Sequence, residues 1–352
     1  MLGSQTDGFP NQESNLNLSE KNKSVLVTGA TGAVGPRVVH ALHQAGFGVR
    51  TFSIDAPSTG MFPQDIEVLI GDVTDPTTVQ SAMQSVDTVV HSAALLHIVN
   101  PTLELRKKYE RVNVGGTAAV VEAAIKAGVR RVVLFSTIAV YGQTNGQVLD
   151  EQSPTHPDTF YAQTKLASEQ IVLNARDMNG QSLGVVLRLG AVYGSRIKGN
   201  YDRLTKALAR NRFIPIGNGL NRRTLIYDKD VGISAVLAVS HPAAAGQVFN
   251  VTDGQFHKLN DIISSICQAL GRRPPGISLP TRPVRFVVSL LEDGVKLFGC
   301  KSPIARATID KFSEDIAVDS SRIQNELGFR PQYDLHKGWQ ETVQEMRRKG
   351  EF

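Results

Sequence analysis

Cysteine is scarce in this chain: Cys267 and Cys300 are the only two among 352 residues. Neither lies in a CxxC pair or in another metal-binding spacing, so the sequence predicts no metal site and no disulfide framework. So low a cysteine content is typical of proteins in a reducing compartment, and we expect a cytoplasmic location.

Long apolar runs are lacking as well. The longest one near the C-terminus, residues 283–299, is interrupted by charged residues at 285, 292, 293 and 296, which excludes a transmembrane segment. Residues 1–22 are polar and have no apolar stretch of the signal-peptide kind, so we predict a disordered polar tail. Weak peripheral membrane contact through residues 286–298 is a hypothesis that this apolar segment leaves open.

Charge of one sign is not strongly in excess. Lysine and arginine total 38 against 33 aspartates and glutamates, and the small basic clusters are scattered along the chain. This pattern argues against a nucleic-acid partner, whereas an anionic small substrate accounts for a mild positive balance. The hydrophobic content of 41% excludes wholesale disorder.

What the sequence does have is an alternation of short apolar runs and amphipathic segments. It predicts an α/β fold, a Rossmann-like doubly wound parallel sheet with a smaller C-terminal substrate domain. We divide the chain into the tail, a Rossmann domain at 23–190 and a mainly substrate-binding domain at 191–346, part of which returns to the sheet. The predicted strands are 24–28, 49–54, 68–70, 88–91, 132–136, 185–189 and 248–251. The predicted helices are 35–45, 77–85, 106–127, 161–179, 201–211, 230–240 and 259–270.

The first predicted strand runs directly into the sequence TGATGAVG, residues 28–35. Gly29 permits a tight turn, Gly32 lets the backbone approach a pyrophosphate, and Gly35 lets the next helix pack on the strand. A glycine triplet between a strand and a helix is the context that a dinucleotide site requires. The predicted cofactor-binding residues of this turn are Gly29, Thr31, Gly32, Ala33, Val34 and Gly35.

Other cofactor contacts are expected where later strands end. Asp55, twenty residues after Gly35, either binds the adenosine ribose hydroxyls or is a solvated turn residue. Ser53 occupies the strand end itself, and no arginine follows to receive a 2′-phosphate, so NAD is favoured without excluding NADP. After the third and fourth strands, further cofactor contacts are predicted at Asp72, Val73, Ala93 and Ala94. Asp72 either contacts the adenine edge or caps the next helix. Ala93 and Ala94 either let the chain pass close to the cofactor or are small only because close packing requires it.

Tyr161 and Lys165 form a YxxxK pair on one face of a predicted helix. An ammonium beside a tyrosine lowers the pKa of the phenol, so the pair can exchange a proton with a substrate hydroxyl while hydride moves at the adjacent carbon. At the end of the fifth strand, Ser136 or Thr137 offers a hydroxyl to the reacting oxygen. Asn113 either orders the site near Lys165, as a cofactor-side residue, or makes a local helix hydrogen bond.

Together these motifs resemble the extended short-chain dehydrogenase/reductase superfamily, in its NAD-dependent epimerase/dehydratase branch. The resemblance covers about 23–346 and rests on TGxxGxxG, the Asp-Val after the third strand, the strand end before VYG, and YxxxK, in that order. It implies that Thr137, four residues before Tyr141, is the catalytic and substrate-binding hydroxyl. It also implies that Tyr161 transfers the proton and contacts substrate and cofactor, and that Lys165 is its partner and a ribose ligand.

The second half resembles the nucleotide-sugar group, which includes UDP-N-acetylglucosamine 4-epimerases and UDP-4-keto-6-deoxy-sugar reductases. The matching segments are 192–194, 198–200, 215–217 and 221–227, with a family-like closing segment at 319–329. By position Arg223 matches the arginine that grips the diphosphate, while Arg222 shares this role or faces solvent. Asn200 binds substrate or only caps a loop. One departure is Ala191, at a position where sugar epimerases often carry asparagine. His97, Gln163 and Thr164 are further candidates for the substrate pocket.

The function that the resemblance implies is an NAD-dependent 4-epimerase of a nucleotide sugar, a UDP-hexose or UDP-N-acetylhexosamine, acting by C4 oxidation and hydride return. The alternatives are an NAD(P)H-dependent reductase of a 4-keto nucleotide sugar, a 3β-hydroxysteroid or sterol dehydrogenase, and a catalytically silent NAD-binding scaffold. The steroid alternative is favoured by YxxVNVxGT at 109–117 and by the apolar C-terminal segment. The family implies a homodimer formed through the helices at 106–127 and 161–179. The alternative is that the apolar faces of these helices are buried within one chain.

Overall fold

A seven-stranded parallel sheet forms the centre of the molecule in a computed structural model of the protein, which describes residues 23–96, 98, 101–286, 288, 289 and 314–352. Its strands are β1 Ser24–Thr28, β2 Gly48–Ser53, β3 Glu67–Ile70, β4 Thr88–His91, β5 Arg131–Thr137, β6 Gly184–Leu189 and β10 Val248–Val251. The strand order is β10-β6-β5-β4-β1-β2-β3, which reverses beside β1 as in a doubly wound fold. The Rossmann-like prediction is therefore confirmed.

Helices cover both faces of the sheet, and the central strands are apolar along their whole length for that reason. These helices are α1 Gly35–Gln44, α2 Pro76–Ala82, α3 Leu103–Tyr109, α4 Gly116–Lys126, α5 Phe160–Asn174 and α7 Asp228–Ser240. On one face α1 packs against α7, and on the other α2, α4 and α5 pack in a row. The residues of β10 come late in the chain and pair with β6, so the sheet extends beyond residues 23–190.

A separate core lies in the second half, around Trp339. The indole ring stacks on Tyr193 with ring centroids 4.5 Å apart, and apolar residues of three helices surround the pair. The elements of this region are β7 Ala191–Tyr193, α6 Asn200–Ala209, β8 Arg222–Arg223, β9 Leu225–Tyr227, β11 His257–Lys258, α8 Leu259–Leu270, α9 Ser321–Glu326 and α10 Leu335–Arg348. Two short pairs of strands, β7 with β9 and β8 with β11, lie outside the main sheet.

Most predicted elements are present within three residues of their predicted ends, but two helices differ. The helix predicted at 106–127 is interrupted by a π-helical segment, Glu110–Gly115, which joins α3 to α4. The helix predicted at 161–179 ends at Asn174, since Arg176 forms a bridge with Ser182 and the chain turns between them. The strands β7, β8, β9 and β11 are two or three residues long, too short for any periodic pattern to predict.

In the part of the chain that the structure describes, no helix has the length and apolarity to cross a bilayer. Within those same residues no group of histidine, cysteine, aspartate and glutamate is arranged to hold a metal ion. The predicted polar tail, Cys300, His97 and most of the apolar 283–299 segment lie outside the described residues.

Candidate active site

The glycine turn between β1 and α1 fits only residues without a side chain. Gly29 has φ +68°, and a Cβ there would lie 2.7 Å from the backbone N and Cα of Ala93. A Cβ at Gly35 would lie 2.3 Å from the carbonyl oxygen of Ala30. These contacts give a narrow backbone cradle that fits the pyrophosphate of a dinucleotide.

The helix that follows the turn presents an uncapped N-terminus to the cradle. Val34 is the N-cap residue of α1, and no side chain accepts a hydrogen bond from the first turn. An uncapped helix N-terminus favours an anion such as a phosphate group. The backbone N–H of Thr31 donates to Ser53 Oγ over 3.1 Å, so Thr31 joins the turn to the end of β2 rather than pointing its amide into the cradle.

The two aspartates predicted near the cofactor occupy different surroundings. Asp55 is exposed and lies two residues beyond the end of β2, where Ser53 is the last strand residue. Asp72 accepts a hydrogen bond from the backbone N–H of Thr74 over 2.8 Å. The cap of α2 is Asp75, not Asp72, because the Asp75 side chain accepts from Thr77.

The small and apolar residues predicted to contact the cofactor also have packing roles. Val73 is buried in the core beside α4, where a Cβ added at Gly116 would lie 2.9 Å from its side chain. Ala93 packs against the same core while its backbone closes the glycine turn.

Tyr161 and Lys165 stand one turn apart in α5, the helix that packs on β5 and β6. Thr159 caps this helix by accepting from the backbone N–H of Ala162. Burial raises the pKa of Tyr161 to about 12, with a smaller contribution from Tyr109. Burial also lowers the pKa of Lys165 to about 8, against a smaller opposing effect of Glu169. In the protein alone, the pKa of Tyr161 therefore lies above its ordinary value, opposite to the lowering expected from a neighbouring ammonium.

The structure separates the two candidate hydroxyls at the end of β5. Ser136 is buried and donates its hydroxyl hydrogen to the Glu169 carboxylate, so it is committed inside the protein. Thr137 Oγ1 accepts from the backbone N–H of Ala139 over 3.2 Å, and an accepting bond leaves its own hydrogen available to donate. Of the two hydroxyls, that of Thr137 is therefore the one that can donate a hydrogen bond to the reacting oxygen of a substrate.

A buried histidine connects the glycine turn to α4. Burial lowers the pKa of His91 to about 3, with a further lowering by nearby Lys165, so its ring is neutral. Nδ1 lies 2.7 Å from Thr28 Oγ1, and Nε2 lies 3.1 Å from Thr117 Oγ1. Thr117 donates its only hydroxyl hydrogen to the carbonyl oxygen of Asn113. It must therefore accept from His91 Nε2–H, which leaves Nδ1 to accept from Thr28.

The π-helical segment places Asn113 at the meeting point of three elements. Its side-chain oxygen accepts from the backbone N–H of Leu95 over 2.8 Å, and its amide nitrogen donates to Thr164 Oγ1 over 3.0 Å. Its carbonyl oxygen also lies 2.8 Å from Ser168 Oγ in α5. Asn113 is only 1% exposed, so it fixes the loop after β4 and the residue beside Lys165 rather than presenting its amide to a ligand. Widened helical turns of this kind often occur at functional sites.

A buried ion pair lies one turn beyond Lys165. Arg188, on β6, donates to both carboxylate oxygens of Glu169, with the shortest bond 2.7 Å long. Its other terminal nitrogen donates to Tyr141 Oη over 2.9 Å, and Tyr141 in turn donates to Asn250 on β10. This network ties α5 to three strands and removes Arg188 from any direct role in substrate binding.

An apolar loop lies beside Tyr161. The Tyr109 ring contacts the Tyr161 ring edge-on, with centroids 6.3 Å apart. The Tyr109 hydroxyl donates to the carbonyl of Leu96 and accepts from the backbone N–H of Ile98 over 2.9 Å. Leu96, Ile98 and Leu103 are all more than half exposed along this loop and the start of α3. The surface next to Tyr161 is therefore apolar at these three residues.

The second half supplies the candidate anion-binding residues. Arg222 binds both carboxylate oxygens of Asp315, with the shortest contact 2.6 Å long, and is thereby neutralised. Arg223 is mostly buried on β8, with its guanidinium 3.9 Å from Glu314, a longer ion pair than that of Arg222.

Asn200 is the third candidate of the second half. It is exposed at the start of α6, and its side-chain oxygen accepts from Arg203 over 2.6 Å. This bond lies within the first turn of the helix, and substrate binding by Asn200 stays a prediction.

Sequence reasoning missed several residues that build this site. Neither the role of His91 nor the Glu169–Arg188 pair was predicted, although a histidine in an apolar strand and a glutamate four residues after Lys165 were visible signals. The sequence indicated Tyr109 only as part of a family motif. Of the other pocket candidates, Thr164 is buried and holds Asn113, while Gln163 is exposed.

Comparison with known proteins identifies the family. Residues 25–252 match the NAD dependent epimerase/dehydratase family. The chain belongs to this family. The family prediction is therefore confirmed, and the protein is an enzyme of the extended short-chain dehydrogenase/reductase type that uses NAD.

Its relatives differ in the substrates that their names state. An N-acetyl-alpha-D-glucosaminyl-diphospho-ditrans,octacis-undecaprenol 4-epimerase of Escherichia coli O157:H7 is 28% identical over 92% of this chain and 95% of that protein. A 3 beta-hydroxysteroid dehydrogenase/Delta 5-->4-isomerase of Mycobacterium tuberculosis is 27% identical over 91% of this chain and 89% of its own length. The structure of MoeE5 in complex with UDP-glucose and NAD is 27% identical, with a TM-score of 0.73 over 93% of this chain and 99% of that one.

Proposed function

We propose that the protein is an NAD-dependent 4-epimerase of a sugar bound through its diphosphate, with a UDP-hexose or UDP-N-acetylhexosamine as substrate. The observation that carries this proposal is the combination of Thr137, Tyr161 and Lys165 at the end of β5 and on α5 with Arg223 in the second half. The two similar proteins whose names or structures include diphosphate-linked sugars support it.

In this mechanism the glycine turn at residues 29–35 and Lys165 would hold NAD, which would supply a reversible hydride acceptor for the sugar C4. Tyr161 takes the proton of the C4 hydroxyl in the first half of the reaction and gives it back in the second. Thr137 donates a hydrogen bond to the same oxygen. The Lys165 ammonium stabilises the phenolate that Tyr161 becomes.

The positions of Tyr161 and Lys165 are fixed by the buried bonds around them. Asn113 holds Thr164, the residue before Lys165, and the His91 chain connects Asn113 to the glycine turn. Because burial lowers the pKa of His91 to about 3 and keeps its ring neutral, no positive charge on this histidine competes with the lysine.

Three further assignments belong to the same proposal. Asp55, Asp72, Ala93 and Ala94 remain proposed cofactor contacts. A dimer formed through α4 and α5 remains a proposal. A cytoplasmic location remains a proposal as well.

The epimerase proposal is tested by incubating the protein with UDP-N-acetylglucosamine and catalytic NAD, without added reductant, and following the sugar by proton NMR. We expect the C4 epimer to appear, and we expect no epimer with Tyr161→Phe. If wild type produces no epimer from this substrate or from UDP-glucose, the proposal is wrong, and 4-keto sugars with NADH or NADPH become the next substrates to test.

A second candidate, oxidation of a 3β-hydroxysteroid, is favoured by one specific feature. The loop beside Tyr161 exposes Leu96, Ile98 and Leu103, and Ala191 stands where sugar epimerases often carry asparagine. An apolar entrance suits a steroid better than a sugar. Stoichiometric NAD reduction at 340 nm with a 3β-hydroxysteroid, without epimerisation of any UDP-sugar, would establish this candidate instead.

A further inference from the structure

Two segments of the second half lie side by side and form one surface. The backbone N–H of Leu279 donates to the carbonyl of Pro215 over 2.9 Å, and the N–H of Gly217 donates to the carbonyl of Leu279 over 2.8 Å. We call residues 211–221 and 271–286 together the paired-segment surface. An open cavity of about 440 Å³ lies between its two segments.

This surface carries positive charge and no negative charge of its own. Neither segment contains an aspartate or a glutamate. Arg272 donates to Asn211 over 2.7 Å, a neutral partner that leaves its charge uncompensated. All five arginines of the two segments are exposed; they are Arg212, Arg272, Arg273, Arg282 and Arg285.

Large apolar side chains are exposed among these arginines. Ile277 is 75% exposed and Phe286 is 65% exposed. Ile214 and Leu220 are each more than half exposed, and Leu279 is 40% exposed on the strand-like bridge that joins the segments. Single exposed apolar residues are ordinary, but several on adjacent segments mark an interaction surface.

We propose that the paired-segment surface docks this enzyme onto an anionic lipid bilayer. Arginines bind lipid phosphates and attract a negatively charged leaflet, while neighbouring isoleucine and phenylalanine side chains enter the acyl boundary. A symmetric contact between two copies would place five arginines against five, which argues against self-association through this surface.

The position of the surface adds a functional consequence. Segment 211–221 continues directly into β8, which carries Arg222 and Arg223. Arg223, the candidate diphosphate-binding arginine, follows the docked segment by two residues in the sequence. Docking would therefore bring the chain next to this arginine to the lipid headgroups. The docking itself does not depend on the proposed epimerase activity, so its test and the test of that activity can fail separately.

The experiment is co-sedimentation of the full-length protein with vesicles of phosphatidylcholine alone or mixed with phosphatidylglycerol. We expect binding to the mixed vesicles that weakens as salt rises, because the attraction is screened over about 10 Å at 0.1 M salt. Arg272→Glu with Arg273→Glu should lower the partition coefficient about tenfold or more. Ile277→Ser with Phe286→Ser should also lower it, and this loss should persist at low salt.

Matched controls lie outside the two segments that form this surface. Lys107→Glu with Lys108→Glu reverses two adjacent exposed charges on α3, and Met178→Ser removes a side chain that is 90% exposed elsewhere. Both should bind like wild type, and NAD affinity and melting temperature should show that every variant is folded.

Three outcomes would overturn the docking proposal. The first is no binding of wild type to either vesicle. The second is binding that the arginine and apolar variants leave unchanged. The third is a change of oligomeric state with the surface variants but no change in vesicle binding, which would assign the surface to a protein contact instead.

Discussion

Two buried regions of the molecule differ in how their polar groups are bonded. In the first half, the His91 ring has both nitrogens bonded to threonine hydroxyls, and the direction of each bond is determined by the hydrogens available. In the core around Trp339, the hydroxyls of Tyr193 and Tyr227 and the indole N–H have no hydrogen-bond partner among the described residues. The difference indicates that the hydrogen bonds around His91 fix the geometry of their neighbours, whereas the aromatic core around Trp339 is stabilised by packing.

The largest effect should follow from removing the hydroxyl that moves the proton. Tyr161→Phe should lower kcat about a thousandfold, within the range for loss of a general acid–base group, while leaving NAD affinity within about twofold of wild type. Steady-state kinetics and NAD titration by fluorescence check this. The matched control is Tyr227→Phe, which removes the same hydroxyl in the core around Trp339 and should keep wild-type turnover. Near-wild-type turnover of Tyr161→Phe would refute the mechanism.

The next effect concerns the stability cost of burying Lys165. Its pKa is lowered from 10.5 to about 8, so between these values the unfolded chain binds the extra proton. The cost is fully present below pH 8 and is relieved as pH rises through 10.5. Lys165→Met should therefore stabilise the fold at pH 7 by up to about 3 kcal/mol, since one pKa unit is worth about 1.4 kcal/mol. Chemical denaturation at pH 7 and pH 10.5 checks this, and an equal gain at both pH values would contradict it.

The adjacent arginines of β8 give a smaller and more selective effect. Arg223→Ala should raise KM for a diphosphate-linked sugar about tenfold to a hundredfold, because a charge-assisted phosphate contact is lost. Arg222→Ala should change KM less than threefold, since Arg222 already binds Asp315. Comparable effects of the two variants on KM would show that Arg223 is not the diphosphate ligand.

The smallest pair of effects directly compares the bonded polar groups around His91 with the hydroxyls in the core around Trp339 that have no partner among the described residues. Thr117→Val removes the acceptor of His91 Nε2–H and should destabilise the fold by about 1–3 kcal/mol, the cost of an unsatisfied buried donor. Thr117→Ser keeps the hydroxyl and should restore most of that stability. Tyr227→Phe removes a hydroxyl without a partner and should be neutral or stabilising by about 1 kcal/mol. Chemical denaturation measures the free energy of unfolding of all three variants. Equal destabilisation by Thr117→Val and Tyr227→Phe would show that the two regions do not differ in this way.

Local patterns predicted the strands of the main sheet and the glycine turn because these depend on neighbours in sequence. The continuous apolar strands and the spacing of Gly29 and Gly35 were sufficient for the fold. The spacing of Tyr161 and Lys165 likewise placed both on one helix.

The pairing of side chains distant in sequence could not be predicted in this way. Glu169 binds Arg188 from a different element, and His91 binds Thr28, which lies 63 residues earlier. Which of Ser136 and Thr137 can donate to a substrate also required the structure, because it depends on which hydroxyl donates to the Glu169 carboxylate. Residues 106–127 have the pattern of one helix, since a π-helical segment has no distinct sequence period.

In the proposed reaction, hydride leaves and returns at one carbon while Tyr161 carries only the proton. The most direct measurement is to run the reaction with UDP-N-acetylglucosamine in deuterated water and to examine the sugar by NMR. We predict a C4 epimer with no deuterium on carbon, because the hydride returns without exchanging with solvent. Deuterium at C4, or a C4 epimer formed by Tyr161→Phe at the wild-type rate, would contradict this mechanism.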